Sequence, residues 1–262
     1  MSPSYAELHC LSNFSFLRGA SHPEELVERA VALGYSALAL TDECSLAGAV
    51  RAHIAAEKHG LQLIIGAEVR LQPERQKRSA SMPRKAAGRP GAKDGAVLTS
   101  ASARAANRLV LLATDREGYG NLSQLISDGR RRSTKGQYRL AAADLDGGLP
   151  GCFALLLPPD DPDVARDQAD WLRERFPQRC WIAAELLLDG NDDLRLAQLQ
   201  ALSQESGVPL VAPTWLPLLS VPSHVTRCSP AIAPSVGVIV VTTLPVASTI
   251  STLAEAIELG SW

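Results

Sequence analysis

Aromatic residues are scarce in this chain, at 5% of 262 positions, and no two cysteines form a CxxC pair. The five cysteines (Cys10, Cys44, Cys152, Cys180, Cys228) are odd in number and widely scattered. That pattern supports neither a zinc ribbon nor a disulfide framework. No sign of charge dominates. There are 26 basic and 28 acidic residues, a net charge of -2, so whole-chain charge does not announce a nucleic-acid binder. No uninterrupted apolar run is long enough to span a bilayer. No basic start followed by an apolar run precedes Tyr5, so no signal peptide is expected. These absences point to a reducing cytoplasm and no membrane partner. What is present is a hydrophobic content of 46%, ordinary for a globular protein. The length suffices for one α/β domain or two small ones.

The first thirty residues read strand, functional loop, helix. Tyr5, Glu7, Leu8 and His9 form an extended stretch that runs into a Ser/Asn-containing turn ending at Gly19. A histidine at the C-terminal end of a strand is where an α/β barrel places its active-site groups. Ser21-His22-Pro23-Glu24 reads as a capping box, with Ser21 as cap, Pro23 in the first turn and Glu24 reaching back. Leu26, Val27, Ala30 and Leu33 recur at helical spacing, and Gly34 closes the helix. Ser36 to Thr41 is a continuously apolar strand, buried on both faces, with Asp42 and Glu43 at its tip. Leu46 to His59 reads as a second helix stopped by Gly60. Leu61 to Ile65 is the next strand, with Glu68 just past it. Three such units argue for a parallel α/β fold.

Further strands are expected at Arg108–Ala113, Cys152–Leu157, from Cys180 and from Val208. Helices are expected after Asp115, over Pro162–Phe176 and over Asp192–Ser206. Between them, 72–107 reads as a basic, disordered insertion. It is either a solvated surface loop or a flexible contact to phosphates. Arg130, Arg131, Arg132 and Lys135 form a basic cluster with the character of a wet surface. From Ala212 onward the chain is rich in Pro, Ser, Thr and Val. Arg227, Glu255 and Glu258 are its only formal charges, and Val236 to Leu244 is apolar and β-prone. The abrupt loss of charge and periodicity suggests a tail that is out of frame or otherwise not native to the rest.

The segments ELHCLSNFSFLRGASHPEELVERAVALGYSALALTDECSLAGAVRA, IIGAEVRL and RLVLLATDREGYGNLSQLIS together carry a resemblance. Residues 5–71 and 108–128 closely resemble the N-terminal PHP domain of bacterial C-family DNA polymerases. Within that family they are most similar to the error-prone branch, relatives of the DNA polymerase III α subunit. The likeness extends more loosely to about Val211 and does not cover the tail. It implies a distorted (β/α)7 TIM-like barrel, incomplete at the C-terminus, over residues 1–211. It also implies a metal cluster at the strand C-termini that hydrolyses phosphoesters when loaded, by lowering the pKa of a bridging water and clamping phosphate oxygens.

Carried across position by position, the ligand set is eroded. The His-x-His motif of the family is His9-Cys10-Leu11 here. The carboxylate expected before the motif glycine is Arg18. Thr-Asp-His has become Thr41-Asp42-Glu43. Gly-x-Glu survives as Gly66-Ala67-Glu68, the histidine opening the next strand is Arg108, and the final Asp-x-His is absent. His9, Glu43 and Glu68 are thus vestigial metal candidates, His9 being a ligand, its relic, or a hydrogen-bonded barrel residue. Asp42 is expected as an acceptor that orients a neighbouring ligand or fixes its loop, rather than as a ligand itself. Leucine cannot ligate, and arginine adds a fixed positive charge. Arg18 and Arg108 could fill the vacated cation positions and pair with Glu43 and Glu68.

Cys10 and Cys44 lie near the expected pocket, but two sulfurs without further ligands do not make a zinc site. His53 and His59, at i, i+6, do not align on one helical face. Gly118 and Gly120 do not form a nucleotide fingerprint. The resemblance implies a PHP fragment of an error-prone DNA polymerase acting in damage-induced mutagenesis, repair and translesion synthesis. On that reading no cofactor is bound tightly by this domain, and the parent polymerase uses magnesium on palm carboxylates outside this chain. DNA is contacted through the parent enzyme, with mutagenesis-complex proteins and a sliding clamp as partners through other regions. The rivals are a stand-alone PHP metal-dependent phosphoesterase and a catalytically silent interaction domain.

Overall fold

The computed structural model describes residues 5–72, 107–186 and 190–211. The interior of the 72–107 insertion and the tail from 212, with Val236 to Leu244, lie outside the described residues.

The chain begins with β1 (Tyr5–Cys10), α1 (Pro23–Ala32), β2 (Tyr35–Leu40), α2 (Ala49–His59) and β3 (Gln62–Gln72). Then come β4 (Asn107–Ala113), α3 (Arg116–Arg131), the two-residue β5 (Leu140–Ala141), a 3-10 turn (Ala142–Leu145) and β6 (Cys152–Leu157). It continues with α4 (Pro162–Arg175), β7 (Cys180–Ala183), α5 (Asp192–Ser206) and β8 (Leu210–Val211). Local chemistry sets most helix ends. Asp115 caps α3 by accepting from Gly118 N at 2.7 Å, and Asp161 caps α4 with Pro162 in its first turn. At α1 the cap lies one residue later than the sequence suggests. His22 is the N-cap, and Glu25, not Glu24, accepts its backbone N–H at 2.7 Å. Pro23 takes the first helical position, so the residue three beyond the cap is Glu25. Glu24 instead pairs with Arg51 of α2.

One curved sheet follows the order β1-β2-β3-β4-β6-β7-β8, with β5 beside β3. The pairs β1–β2, β2–β3, β6–β7 and β7–β8 are parallel. β4 is antiparallel to both its neighbours, which corrects the expectation of a purely parallel sheet. β3 is also longer than expected. It pairs with β2 through Ile65 and with β4 from Gly66 onward, so Glu68 lies inside the strand rather than past it. The close approach of β4 needs a glycine at position 66, since a Cβ on Gly66 would lie 2.6 Å from the Leu111 carbonyl oxygen.

Alternation along the strands separates a lumen from an outer layer. Ala6, Leu8, Ala37, Ala39, Ile64, Val110, Leu112, Phe153, Leu155, Trp181, Ala183 and Val211 form one buried lumen cluster. Because it draws on β1 and β8 alike, the sheet curls around a common interior, as a distorted barrel does. The intervening residues face the helices. Leu38 and Leu40 pack on α1 and α2, while Leu109, Leu111, Leu156 and Ile182 pack with residues of α3, α4 and α5. Among the described residues no helix is long and apolar enough to cross a membrane.

Candidate functional site

The C-terminal ends of the parallel strands and the N-terminal end of β4 share one rim. Glu68 and Arg70 from β3 and Arg108 from β4 continue the lumen-facing alternation onto it. An irregularity in the β1–β2 register between Glu7 and Cys10 accompanies the inward turn of His9, whose backbone N–H donates to Glu7 Oε1 at 3.1 Å.

Glu68 is the hub and is fully buried. Arg18 grips it bidentately, Nη1 donating to Oε1 at 2.9 Å and Nη2 to Oε2 at 2.8 Å. Arg18 Nη1 also donates to Glu43 Oε2 at 2.9 Å. Arg108 Nε donates to Glu68 Oε1 at 3.3 Å. His9 Nε2 lies 3.1 Å from Glu68 Oε2, and its Nδ1 lies 2.8 Å from Glu185 Oε1. When protonated, the imidazole donates to both and ties β1 to the end of β7. Glu43 also accepts from the Tyr138 hydroxyl at 3.0 Å, and that oxygen in turn accepts from Arg70 N at 3.1 Å.

Asp42 touches none of these rim groups directly. It accepts from Ser12 N at 2.8 Å, Ser12 Oγ at 2.7 Å and Ser15 Oγ at 2.6 Å. It thereby fixes the loop after β1 and holds Arg18 over the rim. Gly19 closes that loop, and a Cβ there would fall 2.0 Å from the Ser12 carbonyl oxygen. Leu11 is buried. Cys10 packs in the cluster with α1 and α2, and Cys44 in the cluster on the outer side of β3, so the two sulfurs do not converge. His53 is exposed, and His59 lies 3.9 Å from Glu28.

Three participants were not singled out from the sequence. Arg70 had a signal, since it follows Glu68 by two residues on the same strand face. Glu185 also had one, as a polar group just past a strand end. Tyr138 had none, because it reaches the rim from the loop before β5.

The electrostatics follow from these contacts. Burial alone would lower the His9 pKa from 6.5, but the carboxylates of Glu185 and Glu68 override it and raise it to about 9. Burial alone would raise that of Glu68. Hydrogen bonds from His9 and Arg18 and the charge of Arg108 override it and hold the carboxyl well below its usual range. Burial beside the Glu43 carboxylate pushes the Tyr138 phenol up, and burial raises the Cys44 thiol to about 11.

This architecture is a PHP-type α/β barrel. The PHP domain family model matches residues 7–183, and the chain belongs to that family. It is 50% identical over 215 residues to an error-prone DNA polymerase of Dechloromonas aromatica, covering 80% of this chain and 18% of that protein. It is 48% identical over 209 residues to an error-prone DNA polymerase of Pseudomonas aeruginosa, covering 80% and 17%. The chain therefore spans less than a fifth of the length of these relatives. Among solved structures, an amidohydrolase from Chromobacterium violaceum overlays with a TM-score of 0.48 at 18% identity, covering 80% of this chain and 85% of that one.

A divalent ion at this rim would need free lone pairs. Both Glu68 oxygens accept from Arg18, both His9 nitrogens face carboxylates, and the Glu43 oxygens accept from Arg18 and Tyr138. Arg18 lies 2.9 Å from both carboxylates, on the ground an ion bridging them would take. Among the described residues no group of three or more His, Cys, Asp or Glu side chains is arranged to hold a metal. The residues present do not fit the metal cluster of the family.

Proposed function

We propose that this chain acts as the PHP domain of an error-prone DNA polymerase, with a rim held by internal ion pairs instead of metal ions. The bidentate grip of Arg18 on Glu68 carries the reading, because it places a fixed cation where hydrolysis would require a metal. The domain then serves as a structural module, and nucleotidyl transfer on magnesium belongs to regions of the polymerase outside this chain. The setting is damage-induced translesion synthesis and DNA repair in the cytoplasm. DNA, mutagenesis-complex proteins and a sliding clamp are engaged through the parent enzyme. The half-identical relatives, all error-prone DNA polymerases, support this reading.

The test is metal content and manganese-dependent phosphoesterase turnover of the purified chain. The expected result is no turnover and no stoichiometric metal. Binding of about two or more equivalents with turnover would restore the stand-alone phosphoesterase. The reading as a silent interaction domain draws on a separate observation. Phe16 and Leu17, in the loop that carries Arg18, are 84% and 88% exposed, which gives the module an apolar contact point.

A further inference from the structure

We propose that two copies of this chain associate through one apolar corner, the loop tip Phe16-Leu17 of each copy resting on the Val50–Ile54 stripe of the other. Two features of the fold run against what folding alone would select. The first is α2. It turns Ala49, Ala52, Ala55 and Ala56 inward and leaves Val50 and Ile54 68% and 62% exposed. An amphipathic helix that only had to cover its sheet would bury the larger apolar side chains and expose the smaller. Val50 and Ile54 are spaced i, i+4, so they form one stripe along the outer face.

The second feature is the tip of the loop after β1. Arg18 N and Gly19 N both donate to the Ser15 carbonyl, at 2.9 and 3.0 Å. Ser15 is tied to Asp42 and Arg18 to Glu43 and Glu68, so the two residues between them are pushed outward on a fixed base. Leu17 has φ +62°, a left-handed backbone that is strained for a leucine. Its side chain recovers nothing by burial within the fold. A tip of this kind gains its stabilisation when something covers it.

The tip and the stripe share a corner. Ser15 Oγ accepts from Glu43 N at 2.9 Å, so the loop rests on the 42–48 turn that opens α2. At the end of that turn a Cβ on Gly48 would meet Pro23 Cγ at 3.0 Å and Asp42 Oδ2 at 3.2 Å. One element protrudes and the other is a flat stripe, which are complementary shapes. A two-fold axis between copies makes both contacts at once, tip on stripe and stripe under tip.

Area and charge suit a second copy. The four exposed side chains offer about 500 Å² per copy, so a pair buries ~1,000 Å², the size at which a specific interface begins. The exposed neighbours on α2 are Arg51, Glu57 and Lys58, of both signs, so two identical corners can meet without a block of like charge.

Sedimentation equilibrium of the full chain tests this. A dimer is expected for the wild type, with the dissociation constant raised at least about tenfold in F16S/L17N and in V50S/I54S. L194S, at a position on α5 that is 63% exposed, should stay near wild type. Mixing F16S/L17N with V50S/I54S should restore part of the association, because the mixed pair keeps one intact tip-on-stripe contact and neither variant alone keeps any. Should L17N disturb the loop, F16S and V50S/I54S decide, since they alter exposed side chains on separate elements. A monomer at about 100 μM wild-type chain overturns the dimer and leaves the corner to be covered by the rest of a polymerase. An equal loss in L194S, or no recovery on mixing, overturns the tip-on-stripe contact.

Discussion

The lumen and the rim of this barrel share strands, and positions two residues apart fall in different physical regimes. Val110 and Leu112 on β4 fill the apolar lumen, whereas Arg108 on the same face reaches Glu68 at the rim. Cohesion in the lumen is spread over many apolar contacts, each truncation costing its buried surface and the cavity it leaves. At the rim it is concentrated on one buried carboxylate with four cationic partners, His9, Arg18, Arg70 and Arg108. Such a cluster is close to neutral when complete and costly when one member is removed, because the buried His9 and the partly buried arginines are left uncompensated. The regimes therefore differ less in total strength than in how they fail.

The largest expected effect is that of Glu68→Gln. It leaves Arg18, Arg108 and His9 facing an amide and should cost about 3–5 kcal/mol, read from urea denaturation. Leu155→Ala, at a fully buried lumen position, should cost about 3 kcal/mol. If the lumen truncation proves much the costlier of the two, the rim is not the concentrated element described above. The double variant Glu68→Leu/Arg18→Leu sharpens the comparison. Removing both partners should destabilise less than Glu68→Gln alone, whereas two lumen truncations far apart should simply add.

Alkaline pH should weaken the rim and spare the lumen. The His9 pKa is raised from 6.5 to about 9 in the folded state. Its contribution is thus fully present below about 6.5 and is lost as pH rises through about 9. The urea midpoint of the wild type should decline over that window, and that of His9→Gln should stay flatter. The smallest effect is expected at Arg166–Glu205, where both side chains are about half exposed. Glu205→Ala should change stability by less than about 0.5 kcal/mol, which would show that burial, not charge, makes the rim pairs matter.

Local signals made much of the fold legible. Continuous apolarity marked β2 from Ser36 to Thr41, helical spacing marked α1, and Gly60 closed α2. The partial exception was α1, where two adjacent glutamates offered equivalent capping partners and only the observed cap distinguished them. At the site, His9, Arg18, Glu43, Glu68 and Arg108 were nameable because each stands in a recognisable motif. Tyr138 was not, because nothing around it records that its hydroxyl lies against Glu43.

The order of amino acids alone settled where most of the helices and strands form, since caps, periodicity and backbone-permissive glycines act over a few residues. Strand direction and charge partners were decided only when the chain closed on itself. β4 runs against both β3 and β6, a direction that no local preference of β4 encodes. Likewise His9 meets Glu185 across 176 positions because the curl of the sheet brings the ends of β1 and β7 together. That curl arises from packing around a shared lumen, a property of the whole sheet and of no single segment.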